Sequence, residues 1–267
     1  MKSTNVLIPT YNRADALTLT LTSLSFQEDK DFDIIISDQS PQDHLLKNPY
    51  VQNALRILET RGHGIDIHRN LPSRGMAHQR QFLLEHSSSR FSLFLDDDLI
   101  LEPFVIKNMR KTLEKENCGF VGSAVIGLSF KSDFRPDEQH IEFWEGNVEP
   151  ETVYPNTIEW QRYKLHNAAN IWHIERIHQA HAALPLKYKV AWVGGCTMYF
   201  TDKLKEIGGF TFWKDLPEKH CGEDVLAQLR VMRKYGGCGI IPSGVYHQEL
   251  ETTVTERKVN APEYLEI

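Results

Sequence analysis

Residues 92–99 read Ser92-Leu93-Phe94-Leu95-Asp96-Asp97-Asp98-Leu99. The apolar Ser92–Leu95 run is expected to be a short buried strand of the kind found inside a parallel sheet. Three carboxylates then follow at its carboxyl end, the edge at which open α/β sheets bind ligands. Like charges so close repel unless a divalent cation, a proton or several hydrogen bonds intervene. Two readings stand at this point. One is a cation site; the other is a solvated acidic turn, or an aspartate capping the helix that begins near Glu102 and Pro103.

Working outward, strands are expected at Asn5–Pro9, Phe32–Ser37, Ile65–His68 and Val121–Ile126, with helices at Arg13–Gln27, Pro49–Leu58 and Arg74–Glu85 between them. Leu17, Leu21 and Leu24 fall at helical spacing in the first of those helices. Alternating buried strands and amphipathic helices predict an α/β fold with right-handed crossovers, a Rossmann-like, mostly parallel central sheet flanked by helices. The pattern breaks at residues 127–156, which are polar and aperiodic and read as an insertion or long loop. Helical character returns over 157–183, then a strand is expected at Val190–Phe200, a helix at Asp224–Tyr235 and short strands within Gly239–His247. The last 20 or so residues are polar and are expected either to fold over a neighbouring surface or to be mobile.

Composition excludes some classes. With 36 acidic and 30 basic residues the 267-residue chain carries a formal charge of −6, which leaves no general basic field for nucleic acid. No apolar run is long enough to span a membrane and no signal peptide opens the chain, so a cytoplasmic protein is expected. Cys118, Cys196, Cys221 and Cys238 show no paired spacing and read as reduced thiols.

Several segments combine into one resemblance. They are Val6-Leu7-Ile8-Pro9-Thr10-Tyr11-Asn12-Arg13, Asp38 closing Ile-Ile-Ile-Ser-Asp, Arg74-Gly75-Met76-Ala77-His78-Gln79-Arg80-Gln81, and the triple aspartate. Gly194-Gly195, Gly208-Gly209-Phe210, Gly222-Glu223-Asp224 and Pro242–His247 follow in order. Together these resemble the family 2 glycosyltransferases, which have the GT-A fold and use nucleotide sugars, and the likeness spans residues 5–247. It departs from the family pattern at Gln81, where asparagine is usual, and at Pro72-Ser73, which shift the register of the helix start.

The resemblance implies a single domain, with a nucleotide-sugar-binding half at residues 1–126 and an acceptor-binding, catalytic-base half at 127–267. Pro9, Thr10, Tyr11, Arg13, Asp38, Arg80, Asp96 and Asp97 are the nucleotide-binding candidates. An aromatic ring such as Tyr11 suits stacking on a base and a guanidinium suits phosphate, although Tyr11 also reads as core packing. Asp38 is expected to accept from a pyrimidine ring N–H, its alternative being to begin the turn Asp38-Gln39-Ser40-Pro41. Arg80 also reads as a plain ion-pair partner. Asp98, Asp96 and His247 are the metal candidates for Mn²⁺ or Mg²⁺, hard ions that prefer oxygen ligands and keep waters or phosphates in their shell. Asp224 is the expected base that takes the acceptor proton. Gly195, Trp192, Trp213 and Glu223 are assigned to the donor or acceptor sugar, though buried tryptophan is the commoner role and Glu223 and Asp224 equally suit a helix start.

The implied activity is transfer, with inversion, of a sugar from a nucleotide-diphosphate sugar, UDP being favoured, to a saccharide or lipid-linked saccharide acceptor. The class is that of hexosyl- or N-acetylhexosaminyl-transferases in polysaccharide or glycoconjugate synthesis, with peripheral contact at a membrane face where the acceptor is lipid-linked. The alternatives are a metal-dependent nucleotidyltransferase, which the glycine-free Pro9–Arg13 stretch disfavours, and a binding module without turnover.

Overall fold

The computed structural model describes residues 2–42, 45, 47–254 and 257–267. Along the chain run β1 (Thr4–Thr10), α1 (Ala14–Ser25), β2 (Phe32–Asp38), α2 (Pro49–Thr60), β3 (Ile65–Arg69), α3 (Met76–His86), β4 (Phe91–Leu95), β5 (Leu99–Leu101), α4 (Val105–Glu116) and β6 (Phe120–Gly122). The second half holds α5 (Asn170–Ile177), β7 (Leu186–Tyr188), β8 (Cys196–Phe200), α6 (Thr201–Glu206), α7 (Glu223–Tyr235), β9 (Gly237–Ile241), β10 (Val245–His247) and α8 (Ala261–Tyr264).

Eight strands form one sheet in the order β3-β2-β1-β4-β8-β6-β9-β7. Four of its seven pairings are parallel, and the antiparallel ones involve β8 and β7. Strand alternation decides which side chain enters which layer. Val6 and Ile8 of β1 pack with Leu17 and Leu21 of α1 and with α2 and α4 on one face. Leu7 points the other way, into a second core with Ala77 and Leu84 of α3 and Leu226 and Leu229 of α7. Fully burying each such aliphatic side chain contributes roughly 1.5–3 kcal/mol, so the two-sided core is what pins the sheet's ligand edge in place.

Three expectations are revised. The strand expected at Val190–Phe200 is confined to Cys196–Phe200, because Gly195 adopts φ +78°, outside the β region. Its Cβ position lies 2.8 Å from Val125 Cγ2, so a side chain there has no room. Val121–Ile126 shortens to Phe120–Gly122, since the chain peels away after Gly122 and Ile126 instead bridges Tyr246. Residues 127–156 form the long loop expected, with two short 3-10 turns at Leu128–Phe130 and Pro136–Glu138, and it packs on the core: Val148 and Val153 are buried, and the Val148 amide donates to Glu116 at 3.1 Å. The helical stretch at 157–183 divides into a 3-10 helix over Glu159–His166 and α5.

Among the described residues no helix is long and apolar enough to cross a membrane.

Candidate active site

The parallel arrangement of β1 and β4 brings Thr10 to the side of the acidic run, as their registers run together from Thr4–Phe91 to Leu7–Phe94. Thr10 Oγ1 donates to Asp97 Oδ2 at 2.6 Å, while Thr20 Oγ1 of α1 donates to the Asp97 carbonyl at 2.8 Å. Asp97 is thereby turned back onto β1 and α1. Burial pushes its carboxyl up to about 7, against the Thr10 hydrogen bond, which favours the charged form.

Asp98 faces differently. The two-stranded β5–β10 sheet sets His247 opposite Leu99, beside the last aspartate. His247 Nε2 lies 3.4 Å from Asp98 Oδ2, and Arg13 Nη1 reaches the same oxygen at 2.5 Å. Burial opposes ionisation of Asp98, but the His247 hydrogen bond and the two cationic neighbours hold its proton affinity below the ordinary carboxylate range. His247 is raised in turn, first by its hydrogen bond to Asp98, and its Nδ1 accepts from the Glu249 amide at 2.7 Å. Among the described residues no group of three or more His, Cys, Asp or Glu surrounds a common point. Asp98 Oδ2 and the neighbouring His247 Nε2 are nevertheless a partial donor set that suits Mn²⁺ or Mg²⁺, which take water and diphosphate oxygens as their remaining ligands.

Across the cavity Arg80 of α3 is buried and bridges two elements, its Nε donating to Glu223 Oε1 at 3.0 Å and its Nη2 to Asp96 Oδ1 at 3.1 Å. The pair of anions keeps the guanidinium charged despite burial. Glu223 and Asp224 open α7 behind Gly222, whose φ of +74° turns the chain into the helix and whose Cβ position lies 2.2 Å from Asn260 Oδ1. Burial raises the proton affinity of Asp96, Glu223 and Asp224, with the Arg80 charge opposing it in each case. Asp96 is more open than Glu223, with 37% of its side chain accessible against 7%. Its backbone N–H donates to the Gly195 carbonyl at 2.9 Å, which is the part Gly195 plays here.

One cavity of about 430 Å³ gathers Pro9, Thr10, Tyr11, Arg13, Arg80, Asp96, Asp97, Asp98, Glu223, Asp224 and His247. These come from the end of β1 with the loop after it, α3, the β4–β5 turn, α7 and β10, so five separate stretches of sequence converge. Four candidates do not line it. Asp38 is buried, with Oδ2 paired to Arg69 Nη1 at 2.6 Å and Oδ1 accepting from the Ser40 amide at 2.8 Å. Trp192 stacks on Tyr163 at 5.2 Å between centroids and Trp213 meets His78 edge-on at 4.6 Å, both rings half-buried and outside this cavity. Gly195 lies outside the cavity lining and meets the site through its carbonyl, which accepts from the Asp96 amide.

The sequence reading missed other wall residues. Leu250, Thr252, Thr253, Val254 and Arg257 border the cavity, and Arg13 Nη2 donates to the Glu251 carbonyl. The polar C-terminal stretch therefore folds over the site, one of the two outcomes expected of it. Gln79 is also in the wall, its Nε2 donating to the Ser37 carbonyl at 2.7 Å and joining the ends of β1 and β2. Gln81, the departure from the asparagine pattern, accepts from the Phe210 amide at 2.9 Å and so anchors the Gly208–Phe210 turn.

The whole fold has solved counterparts. The mannosyltransferase PcManGT from Pyrobaculum calidifontis, solved in complex with GDP-Man and Mn²⁺, superposes with a TM-score of 0.59 at 15% identity, over 95% of this chain and 59% of that one. TarS 1–349 of S. aureus in complex with UDP-GlcNAc gives 0.56 at 17% identity, over 95% of this chain and 60% of that one. A second TarS structure from S. aureus gives 0.56 at 17% identity, over 92% of this chain but only 36% of that one. The chain thus spans about 60% or less of the length of these neighbours. No curated protein sequence matches it. The profile described as Glycosyl transferase family 2 matches residues 5–207, which takes in β1, the aspartate turn and the Arg80 helix. With a GT-A sheet, three carboxylates at its ligand edge and that match over most of its length, the chain belongs to glycosyl transferase family 2.

Proposed function

We propose that the protein transfers a sugar, with inversion, from a nucleotide-diphosphate donor to a hydroxyl of a saccharide or lipid-linked saccharide. The observation that carries this reading is that Asp224 opens onto the same cavity as the Asp98–His247 pair. A carboxylate of raised proton affinity and a cation-suited corner in one cavity are what displacement at an anomeric carbon needs. In the proposed reaction the acceptor O–H gives its proton to the Asp224 carboxylate as its oxygen bonds to the anomeric carbon. The bond from that carbon to the diphosphate oxygen breaks, and the electron pair leaves with the diphosphate. Asp98 and His247, with Asp96 at the open side, would hold Mn²⁺ or Mg²⁺, which supplies charge neutralisation for the departing diphosphate. Arg13 and Arg257 border the same cavity and add fixed positive charge. Thr10 and Asp97 brace the turn from below, and Tyr11, 43% exposed, presents its ring at the mouth.

UDP is the favoured nucleotide, the sugar a hexose or N-acetylhexosamine, and the setting polysaccharide or glycoconjugate assembly in the cytoplasm or at its membrane face. The deciding assay measures nucleoside-diphosphate release from a panel of donors with Mn²⁺, with Mg²⁺ and with chelator. Release that ignores the chelator, or an Asp98→Ala protein as active as wild type, defeats the metal-assisted mechanism.

A further inference from the structure

Asp224 on α7 and Asp96 after β4 enter the cavity from separate elements, and one short segment touches both. The Cβ position of Gly194 lies 4.0 Å from Asp224 Oδ2 and that of Gly195 lies 3.4 Å from Asp96 Oδ2, while the Gly195 carbonyl accepts from the Asp96 amide at 2.9 Å. Two successive glycines have no side chains with which to fix their own backbone. They are held from the preceding residue. The buried Val193 side chain sits over Gly122 of β6, where any Cβ would overlap it, and the Val193 backbone belongs to no strand. Instead the Val193 N–H donates to Gln228 Oε1 at 2.8 Å, and its carbonyl accepts from Gln228 Nε2 at 2.8 Å and from Thr197 Oγ1 at 2.9 Å. A backbone N–H can only donate and a carbonyl can only accept, so the orientation of the Gln228 amide is fixed. Gln228 is fully buried and follows Asp224 by four residues, one turn along the same face of α7.

We propose that Gln228 is a positioning residue for the transfer: by clamping Val193 it fixes the Gly194–Gly195 segment between Asp224 and Asp96, and so sets where the base stands relative to the donor; this rests on the reading of Asp224 as the base. Clamp and base share one helix, so the segment that meets Asp96 is tied to the element that carries the proton acceptor. Arg80, between Glu223 and Asp96, joins the same two elements through charges. The amide clamp works through neutral hydrogen bonds and holds whatever the protonation of the carboxylates around it. Attack at the anomeric carbon needs reacting atoms about 3–3.5 Å apart, and misplacement by about 1 Å costs on the order of 10²-fold in rate. Donor binding rests on Arg13, Asp98 and His247, none of which Gln228 touches.

The test is nucleoside-diphosphate release, with Mn²⁺, by the full chain carrying Gln228→Met or Gln228→Glu, using the donor of the panel that wild type turns over. Gln228→Met keeps the side-chain length and removes both hydrogen bonds, and is expected to lower kcat by about 10–10² while donor KM stays within about twofold. Gln228→Glu carries its own rescue. A protonated carboxyl accepts from the Val193 N–H through one oxygen and donates to the Val193 carbonyl through the other, as the amide does, whereas a carboxylate makes only the first bond. Burial raises the proton affinity of a carboxyl, so the ratio of Gln228→Glu to wild-type kcat should climb toward one as pH falls from about 8 to about 6. Asp224 and Arg80 flank Tyr199, which also bonds the Gln228 amide, and dividing by wild type at each pH removes their own titration. If Gln228→Met fails to fold, the pH course of Gln228→Glu decides alone. A glutamine that only stabilised its loop would shift the unfolding midpoint and leave kcat at lower temperature unchanged; that outcome, or a Gln228→Glu ratio that stays low at every pH, overturns the proposal. Wild-type kcat in both Gln228 variants beside an inactive Asp224→Asn overturns the clamp alone. An Asp224→Asn protein as active as wild type, or wild type that turns over no donor, overturns the reading of the base and the clamp with it.

Discussion

Arg13 Nη1 lies 2.5 Å from Asp98 Oδ2, so the carboxylate best placed for a divalent ion already has a cation against it. The guanidinium and an incoming metal compete for one oxygen. A nucleoside diphosphate relieves that competition by offering Arg13 phosphate oxygens instead. Arg13→Ala is accordingly expected to bind Mn²⁺ alone more tightly than wild type does, yet to bind UDP more weakly. Electron paramagnetic resonance titration of free Mn²⁺ reads the first effect and calorimetry the second; weaker Mn²⁺ binding in the variant contradicts the competition.

His247 predicts a pH dependence of stability. Its proton affinity is raised above the ordinary 6.5, chiefly by the hydrogen bond to Asp98. A raised value means that the folded state binds the proton more tightly, so this contribution is full below 6.5 and fades as pH rises through the folded value. The gap in urea midpoint between wild type and His247→Gln, measured without metal, should therefore narrow from pH 6 to pH 9. Mn²⁺ affinity should rise over the same interval, because a ligating imidazole must first lose its proton. A gap that widens with pH reverses the sign and rules the pairing out as its source.

Arg80 is predicted to matter for folding before it matters for chemistry. Removing it leaves Asp96 and Glu223 facing each other without their shared cation. Breaking a buried pair of this kind costs roughly 3–5 kcal/mol, so Arg80→Ala should lose about that much in urea unfolding. An Arg80→Ala, Glu223→Gln double variant should recover part of it, since one uncompensated charge is gone. Additive losses in the double variant speak against direct coupling.

Asp224→Asn is expected to lower kcat by about 10²–10⁴, the usual weight of a general base, with UDP affinity and unfolding midpoint close to wild type. In wild type kcat/KM should fall as pH drops through the Asp224 value, which burial lifts above that of an ordinary carboxylate. Loss of UDP affinity on the same scale as kcat would instead make Asp224 part of the donor site.

The strand–helix alternation of the first half was legible because a two-sided core forces apolar residues onto strand positions and onto one helix stripe. β1, β2, β3 and β4 fall within a residue or two of their expected bounds. Val190–Phe200 was misjudged for an equally physical reason. Apolar composition marks burial, and the Trp192–Gly195 stretch is apolar as a packed loop, where the Val193 amide donates to Gln228 instead of to a strand.

The position of three carboxylates at a strand's carboxyl end nominated the acidic turn by itself, whereas Arg80, Asp224 and His247 were nominated by the ordered resemblance to the family 2 glycosyltransferases, because a lone histidine or a helix-start aspartate carries no such signal alone. What the tertiary structure alone decided is which of them share an atom. Asp97 is turned inward by Thr10 and Thr20, Asp98 outward to Arg13 and His247, and Asp96 across to Arg80. In sequence these are three identical side chains. Their difference comes from β1, α3 and β10 approaching the turn from separate directions, and contacts between residues up to 149 positions apart, as from Asp98 to His247, leave no periodic trace in the chain.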